Sequence, residues 1–248
     1  MKLVNVNAEG YRHVETVMGL IVRENPDFIC MQESHEDFAK LLSKQGYQTA
    51  LLPRCRKEQD GREFIDCELF ASKYPFVSEN YYYAKTLADE IPFETSKLIN
   101  GGKHSDFGFI LATIPTESGI FNIATTHFTW APDGNIASEL QKRDMKVLLQ
   151  LVENLPAHII CGDFNIPRLH NPLYKELTAV YTDNIPTSYK SSLDKDLHVV
   201  GSDSSKTIMF EEYMVDYVFS QKPYTAENVR LEFGISDHAA VICEIEKK

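Results

Sequence analysis

The sequence is short of positive charge. Its 248 residues include 25 Lys and Arg against 36 Asp and Glu, a formal net charge of -11. A field of that sign repels nucleic acid and anionic membrane unless positive charge is gathered locally or cations are bound. A general nucleic-acid coat protein is thereby excluded; an enzyme with a small cationic or metal-filled site is not. No run approaches the roughly 20 apolar residues that span a bilayer, so no membrane insertion is expected. The opening stretch, MKLVNVNAEG, lacks the apolar core of a secretory signal. Among the five Cys no CxxC spacing occurs. Cys30, Cys161 and Cys243 each sit in an apolar run and read as small buried hydrophobes in a reducing compartment. These absences together predict a cytoplasmic protein. Gly (12) and Pro (11) are too ordinary in number for collagen-like or disordered readings. There is no internal repeat, low-complexity tract or flexible linker.

What is present is a 43% hydrophobic chain in which short apolar runs alternate with amphipathic stretches to the end. That pattern predicts one α/β domain over residues 1–248. Strands are expected at residues 3–7, 27–32, 67–71, 107–114, 120–126, 158–161, 214–219 and 239–245. Helices are expected at 11–24, 37–44 and 136–154, the first closed by Asn25-Pro26. Residues 54–63 (RCRKEQDGRE) read as a polar loop with clustered charge, and 84–106, which carry Gly101-Gly102, as a long connection.

The informative feature is which polar residues fall at strand ends. Asn7 ends LVNVN, Glu33 ends FICMQE and His127 ends FNIATTH. Asp163 and Asn165 follow HIICG, Asp216 lies within YMVDYVF, and Asp237 and His238 precede AAVICEI. Strand ends of α/β proteins converge on one edge, where ligands bind. Carboxylates such as Glu33 and Asp237 are hard oxygen ligands suited to Mg²⁺ or Mn²⁺. The amides of Asn7 and Asn165 can ligate metal or bond a phosphate oxygen without adding charge. Asp163 can deprotonate or orient a water. His238 can donate to a phosphoryl oxygen if a carboxylate such as Asp216 keeps it protonated.

The stretches KLVNVNAEG, PDFICMQE, ASKYPF, IATTHF, IICGDFN, MVDYVF and SDHAAVICEI resemble, in order, the motifs of the endonuclease/exonuclease/phosphatase superfamily. That superfamily includes deoxyribonuclease I, exonuclease III, neutral sphingomyelinase and inositol polyphosphate 5-phosphatases. The resemblance implies a four-layer α/β sandwich of two packed mixed β-sheets flanked by helices, and metal-dependent phosphoester hydrolysis. It places Glu33, Asn7 and Asp237 at the metal, Asp163 on the attacking water and Asn165 beside the phosphate. It makes His238 the catalytic His paired with Asp216. His127 falls where deoxyribonuclease I and the sphingomyelinases carry a second active-site His. The first strand offers both Asn5 and Asn7, of which Asn7 keeps the strand at its usual length. Glu9 falls where many members have Asp or Asn. Glu68 and Asp66 both lie near the position of the Glu that supports the second His of deoxyribonuclease I.

The expectation is a Mg²⁺- or Mn²⁺-dependent phosphodiesterase, with nucleic acid the first-choice substrate and a monomer as its form. A phosphatase or phosphodiesterase acting on a small molecule or lipid head group is the alternative, and a non-catalytic binding module is disfavoured because every core motif position is filled. Trp130, the only Trp, could stack on a flat group at the rim or pack in the core. The Arg54, Arg56 and Lys57 cluster reads as a solvated loop. Arg12 and Arg168 are somewhat better candidates for phosphate contact. The remaining His residues, His13, His35, His104, His158, His170 and His198, read as structural or surface. Specificity is expected from loops 54–64, 84–106 and 184–208.

Overall fold

The computed structural model describes residues 1–86, 90–94 and 105–248. Along the chain run β1 (Lys2–Asn7), α1 (Val14–Glu24), β2 (Phe28–Ser34), α2 (Glu36–Lys44), β3 (Gln48–Gln59), β4 (Arg62–Ser72) and β5 (Val77–Ala84). There follow β6 (Phe107–Thr116), β7 (Gly119–His127), α3 (Glu139–Glu153), β8 (Ile159–Asp163), α4 (Leu173–Val180) and β9 (Thr182–Asp183). The chain closes with α5 (Thr207–Glu212), β10 (Asp216–Ser220), β11 (Tyr224–Glu232) and β12 (Ala240–Lys247).

Two six-stranded sheets result, ordered β11-β12-β1-β2-β4-β3 and β5-β6-β7-β8-β10-β9. Each is mixed and holds one parallel pair near its centre. In the first, β1 and β2 are parallel and joined through α1; in the second, β7 and β8 are parallel and joined through α3. The other pairings are antiparallel. Val4, Val6, Ile29 and Met31 pack outward on Val17, Leu20, Phe38 and Leu42 of the first two helices. Leu3, Phe28, Cys30 and Phe70 pack inward with residues of the second sheet, whose outer side is covered by Leu148, Val152 and Leu177 of α3 and α4. The layers are therefore helix, sheet, sheet, helix, the expected sandwich. Each fully buried Phe of the inter-sheet core contributes on the order of 1.5–3 kcal/mol.

Three local expectations are corrected. Residues 54–63 are not a loop: β3 and β4 are long strands joined at Asp60-Gly61, both with positive φ (53° and 79°). An Asp-Gly pair suits a tight two-residue hairpin, and that signal lies inside the charged run. Helix α3 begins at Glu139 rather than 136; Ser138 and Gln141 form a capping box there, and Ile136 is exposed. The strand β11 was not anticipated, because its partly exposed residues do not make an apolar run. Within the connection at 84–106, Gly101, Gly102 and His104 lie outside the described residues.

Candidate active site

Strand parity gathers the polar residues. In a strand, alternate side chains share a face. Asn5 and Asn7 therefore share the inter-sheet face with Leu3, as Gln32 does with Cys30, and Asp163 with Cys161. The two parallel pairs set Asn7 beside Gln32 and His127 beside Asp163. β10 runs antiparallel to β8 and sets Asp216 beside Asp163. Just inside this end, Gln32 Nε2 donates to Asn5 Oδ1 at 3.0 Å and across the sheets to Thr125 Oγ1 at 2.9 Å. Asn5 thus belongs to a buried tie between sheets, whereas Asn7 reaches the site.

Glu33 breaks the alternation. Its φ is 48°, and the pairing of β2 with β4 shifts between Met31 and Ser34. This is a β-bulge, which re-aims a side chain. The Glu33 carboxylate meets Lys57 Nζ at 2.6 Å and lies 3.9 Å from His127 Nδ1. Gly162, before Asp163, has φ of 151°, and a Cβ there would lie 1.7 Å from the Thr126 carbonyl oxygen. Only glycine lets β7 and β8 approach this closely.

Asp163 Oδ2 is the point on which the site converges. It accepts from Asn7 Nδ2 at 3.3 Å, and His127 Nε2 and His238 Nε2 lie 3.4 and 3.9 Å away. Its Oδ1 accepts from the Asn165 backbone at 2.8 Å. Burial pushes the Asp163 carboxyl up to about 7, against the His238 charge and with that of Asp216. Burial alone would push the His238 imidazole down. The charges of Asp216 and Asp163 outweigh it, and His238 is held well above its ordinary value. Asp216 Oδ2 receives His238 Nδ1 at 2.8 Å and Ser192 Oγ at 2.6 Å. His127 goes the other way: burial and the adjacent Arg54 charge hold it well below the ordinary imidazole range.

Among the described residues, two groups of side chains bring potential cation ligands within 4.8 Å of one another: Glu9, His13 and Asp237, and Asp163, Asp216 and His238. Burial raises Glu9 and Asp237, each further raised by other carboxylates. Crowded carboxylates of this kind fit a divalent cation, which would relieve their repulsion. Glu33 and Asn7 stand at the adjoining strand ends, so the donor set suits a hard ion.

Neither Glu68 nor Asp66 reaches His127. Between them and the imidazole stands Arg54, whose Nη1 is 2.7 Å from His127 Nδ1. Arg54 Nε is 3.3 Å from Glu68 Oε1 and its Nη1 3.6 Å from Asp66 Oδ2. Lys57 Nζ bridges Asp66 and Glu33, each at 2.6 Å. Arg54 is therefore a buried and Lys57 a half-buried member of the site wall, and neither is a solvated loop residue. Asn165 lies beside Asp163, but its amide is engaged with the Phe128 carbonyl at 2.9 Å. Arg12 pairs with Glu9. Arg168 is held by Asp183 and the carbonyls of Ile185 and Pro186, a structural role. Phe128 is core and Trp130 half-buried. Sequence reasoning missed Arg54, Lys57, His13 and Ser192. The Asp-Gly turn would have placed the first two on a strand; nothing in the sequence marks Ser192.

A family model described as the Endonuclease/Exonuclease/phosphatase family matches residues 4–238. The fold is similar to the catalytic domain of human Nocturnin, solved with a bound sulfate anion (TM-score 0.72, 18% identity, 100% of this chain and 93% of that one). It is also similar to an endonuclease/exonuclease/phosphatase family protein from Leptotrichia buccalis (0.66, 18%, 99% of each). A third similar structure is a 3'-5' exonuclease from Neisseria meningitidis (0.65, 13%, 99% and 100%). No curated protein sequence matches.

Proposed function

This chain belongs to the endonuclease/exonuclease/phosphatase family, whose members are phosphoester hydrolases, and from that premise we propose that residues 1–248 form one divalent-metal-dependent phosphodiesterase. The observation that carries the reading is Asp163: a buried carboxyl raised to about 7, with Asn7, His127 and His238 around one oxygen. A base poised near neutrality is matched to taking a proton from water. The three neighbours are placed to meet an entering phosphoryl group.

Glu33, Asn7 and Asp237 would hold Mg²⁺ or Mn²⁺, with Glu9 and His13 alongside. A bound cation supplies charge neutralisation to phosphoryl oxygens. The chain's own residues do the rest. Asp163 orients the water and accepts its proton as oxygen attacks phosphorus in line with the leaving group. His238, kept protonated by Asp216, donates from Nε2 to the developing charge. His127 donates to a second phosphoryl oxygen. Asn165, through its backbone N–H, fixes the Asp163 carboxylate. Nucleic acid is the first substrate to test. The overall acidity of the chain favours keeping small phosphodiesters and lipid head groups beside it.

The test is a hydrolysis panel with Mg²⁺ or Mn²⁺: single- and double-stranded DNA, RNA, bis-p-nitrophenyl phosphate, phospholipids and inositol phosphates. Asp163→Ala is the control. At least one phosphodiester should turn over, with the variant slower by about 10²-fold or more. Equal rates for a folded Asp163→Ala would overturn the assignment.

A further inference from the structure

We propose that Arg54 is a positioning residue that fixes the tautomer of His127, so that the two site histidines approach Asp163 from opposite electrostatic backings. The role of His127 toward substrate rests on the phosphodiesterase reading; the tautomer itself does not.

A guanidinium has only donors. With Arg54 Nη1 at 2.7 Å, His127 Nδ1 has to accept. The single ring proton then sits on Nε2, the nitrogen 3.4 Å from Asp163 Oδ2. His238 is backed in the contrary sense: Asp216 requires a proton on its Nδ1. The Glu33 carboxylate, 3.9 Å from His127 Nδ1, would favour the other His127 tautomer, but Arg54 is far closer. Both side chains are buried, Arg54 3% and His127 5% exposed, so water does not compete for Nδ1.

Arg54 is itself clamped. Asp66 and Glu68 flank the guanidinium, the Phe107 ring centre lies 5.0 Å from its Cζ, and its carbonyl accepts from the Asp106 backbone at 3.0 Å. The two buried acids that resemblance linked to His127 therefore act on it only through Arg54. They hold a cation, and the cation sets the imidazole. His127 is thus a fixed Nε2–H donor that orients a phosphoryl oxygen and keeps its proton through the reaction.

The experiment is ¹⁵N NMR of the full chain labelled on histidine, near neutral pH and without added metal, with His127 assigned by a His127→Gln variant. Ring nitrogens with and without a proton have distinct shifts. The expected result is protonated Nε2 and unprotonated Nδ1 for His127. A wild-type His127 with Nδ1 protonated overturns the proposal, whatever the variants do. In Arg54→Gln, whose amide oxygen can accept, the Nδ1–H form should emerge; in Arg54→Lys, again donor-only, it should not. If Arg54→Gln does not fold, the wild-type spectrum decides. On bis-p-nitrophenyl phosphate, Arg54→Gln should lower kcat by about tenfold or more with KM little changed, and Arg54→Lys should recover part of it. Loss confined to KM counts against the positioning role. Absence of hydrolysis of every phosphodiester in the panel by the wild type would overturn the phosphodiesterase reading and leave the tautomer standing on its spectrum.

Discussion

Replacing Asp216 by Asn tests the reading of the site most sharply, because it changes charge with little change of shape. Both donors to Asp216, Ser192 Oγ at 2.6 Å and His238 Nδ1 at 2.8 Å, meet the same oxygen, Oδ2. Among the described residues the other oxygen, Oδ1, is buried without a partner. An Asn that keeps its oxygen toward Ser192 and His238 therefore buries an amide NH₂ with nothing to bond. The flipped amide would need Ser192 Oγ to accept, yet that oxygen already accepts from the Val215 and Asp216 backbones at 3.2 Å. Either orientation leaves a buried donor unmet, costing about 1–3 kcal/mol. For a chain of this length that lowers the melting temperature by a few to about ten degrees. The larger effect falls on His238. Without the Asp216 charge and the hydrogen bond it makes to Nδ1, the imidazolium loses the largest influence that opposes burial. Losing a positioned acid lowers kcat about 10²–10⁴-fold. The assay is turnover of bis-p-nitrophenyl phosphate with Mg²⁺, beside thermal unfolding of the same samples. A variant that melts as expected but turns over within about threefold of wild type would refute the assignment of His238 as a charged donor.

Lys57→Met should remove the charge that bridges Glu33 and Asp66 and cost roughly 3–5 kcal/mol. Mg²⁺ should raise the variant's melting temperature more than that of the wild type; an equal rise would dissociate Glu33 from the cation. Gly162→Ala should place a Cβ 1.7 Å from the Thr126 oxygen and force β7 from β8, lowering stability by at least about 4 kcal/mol in urea titration; a smaller loss would mean the strands yield easily. Adding Mg²⁺ near pH 7 should release protons. Asp163, raised to about 7, is partly protonated there, and a cation favours its anion. Calorimetry in buffers of different ionisation enthalpy measures the release, which Asp163→Asn should diminish; no release from the wild type would contradict the coupling.

How much of this was legible in the sequence depends on the scale of the signal. Asn7, His127 and Asp163 could be read because each ends a short apolar strand, and parity carries all three to the inter-sheet face. The linked pair of carboxylate and imidazole, Asp216 and His238, followed from motifs far apart in the chain. What could not be read was what lies against them. Arg54 and Lys57 look solvated in RCRKEQDGRE because local charge density is high. Arg54 is buried and Lys57 half-buried because β4 brings Asp66 and Glu68 to them: Asp66 lies opposite Cys55 and Glu68 opposite Leu52, on either side of the bulge at Arg54, which only the hairpin register reveals. Ser192 sits in a stretch with no periodicity and acquires its role from backbone ties, accepting at its carbonyl from Ala239 N at 2.7 Å. The left-handed Glu33 is invisible for the same reason: a bulge is a property of two strands, not one.

Burial also alters what the net charge of -11 means. Asp66, Glu68, Asp163, Asp216 and Asp237 are interior groups, and burial is the chief influence that raises Asp66, Glu68, Asp163 and Asp237. Asp163, raised to about 7, carries less than its full formal charge at pH 7. The field met by an approaching phosphodiester is therefore weaker than the composition suggests, and a divalent cation at the strand ends would reverse it locally. The same reasoning limits affinity. Arg54 and Lys57, the cations nearest the site, are committed to interior carboxylates, and Arg12 to Glu9. Their charges are spent on holding side chains in place and add little to attraction of a polyanion, so ionic strength should act weakly on hydrolysis of a small phosphodiester.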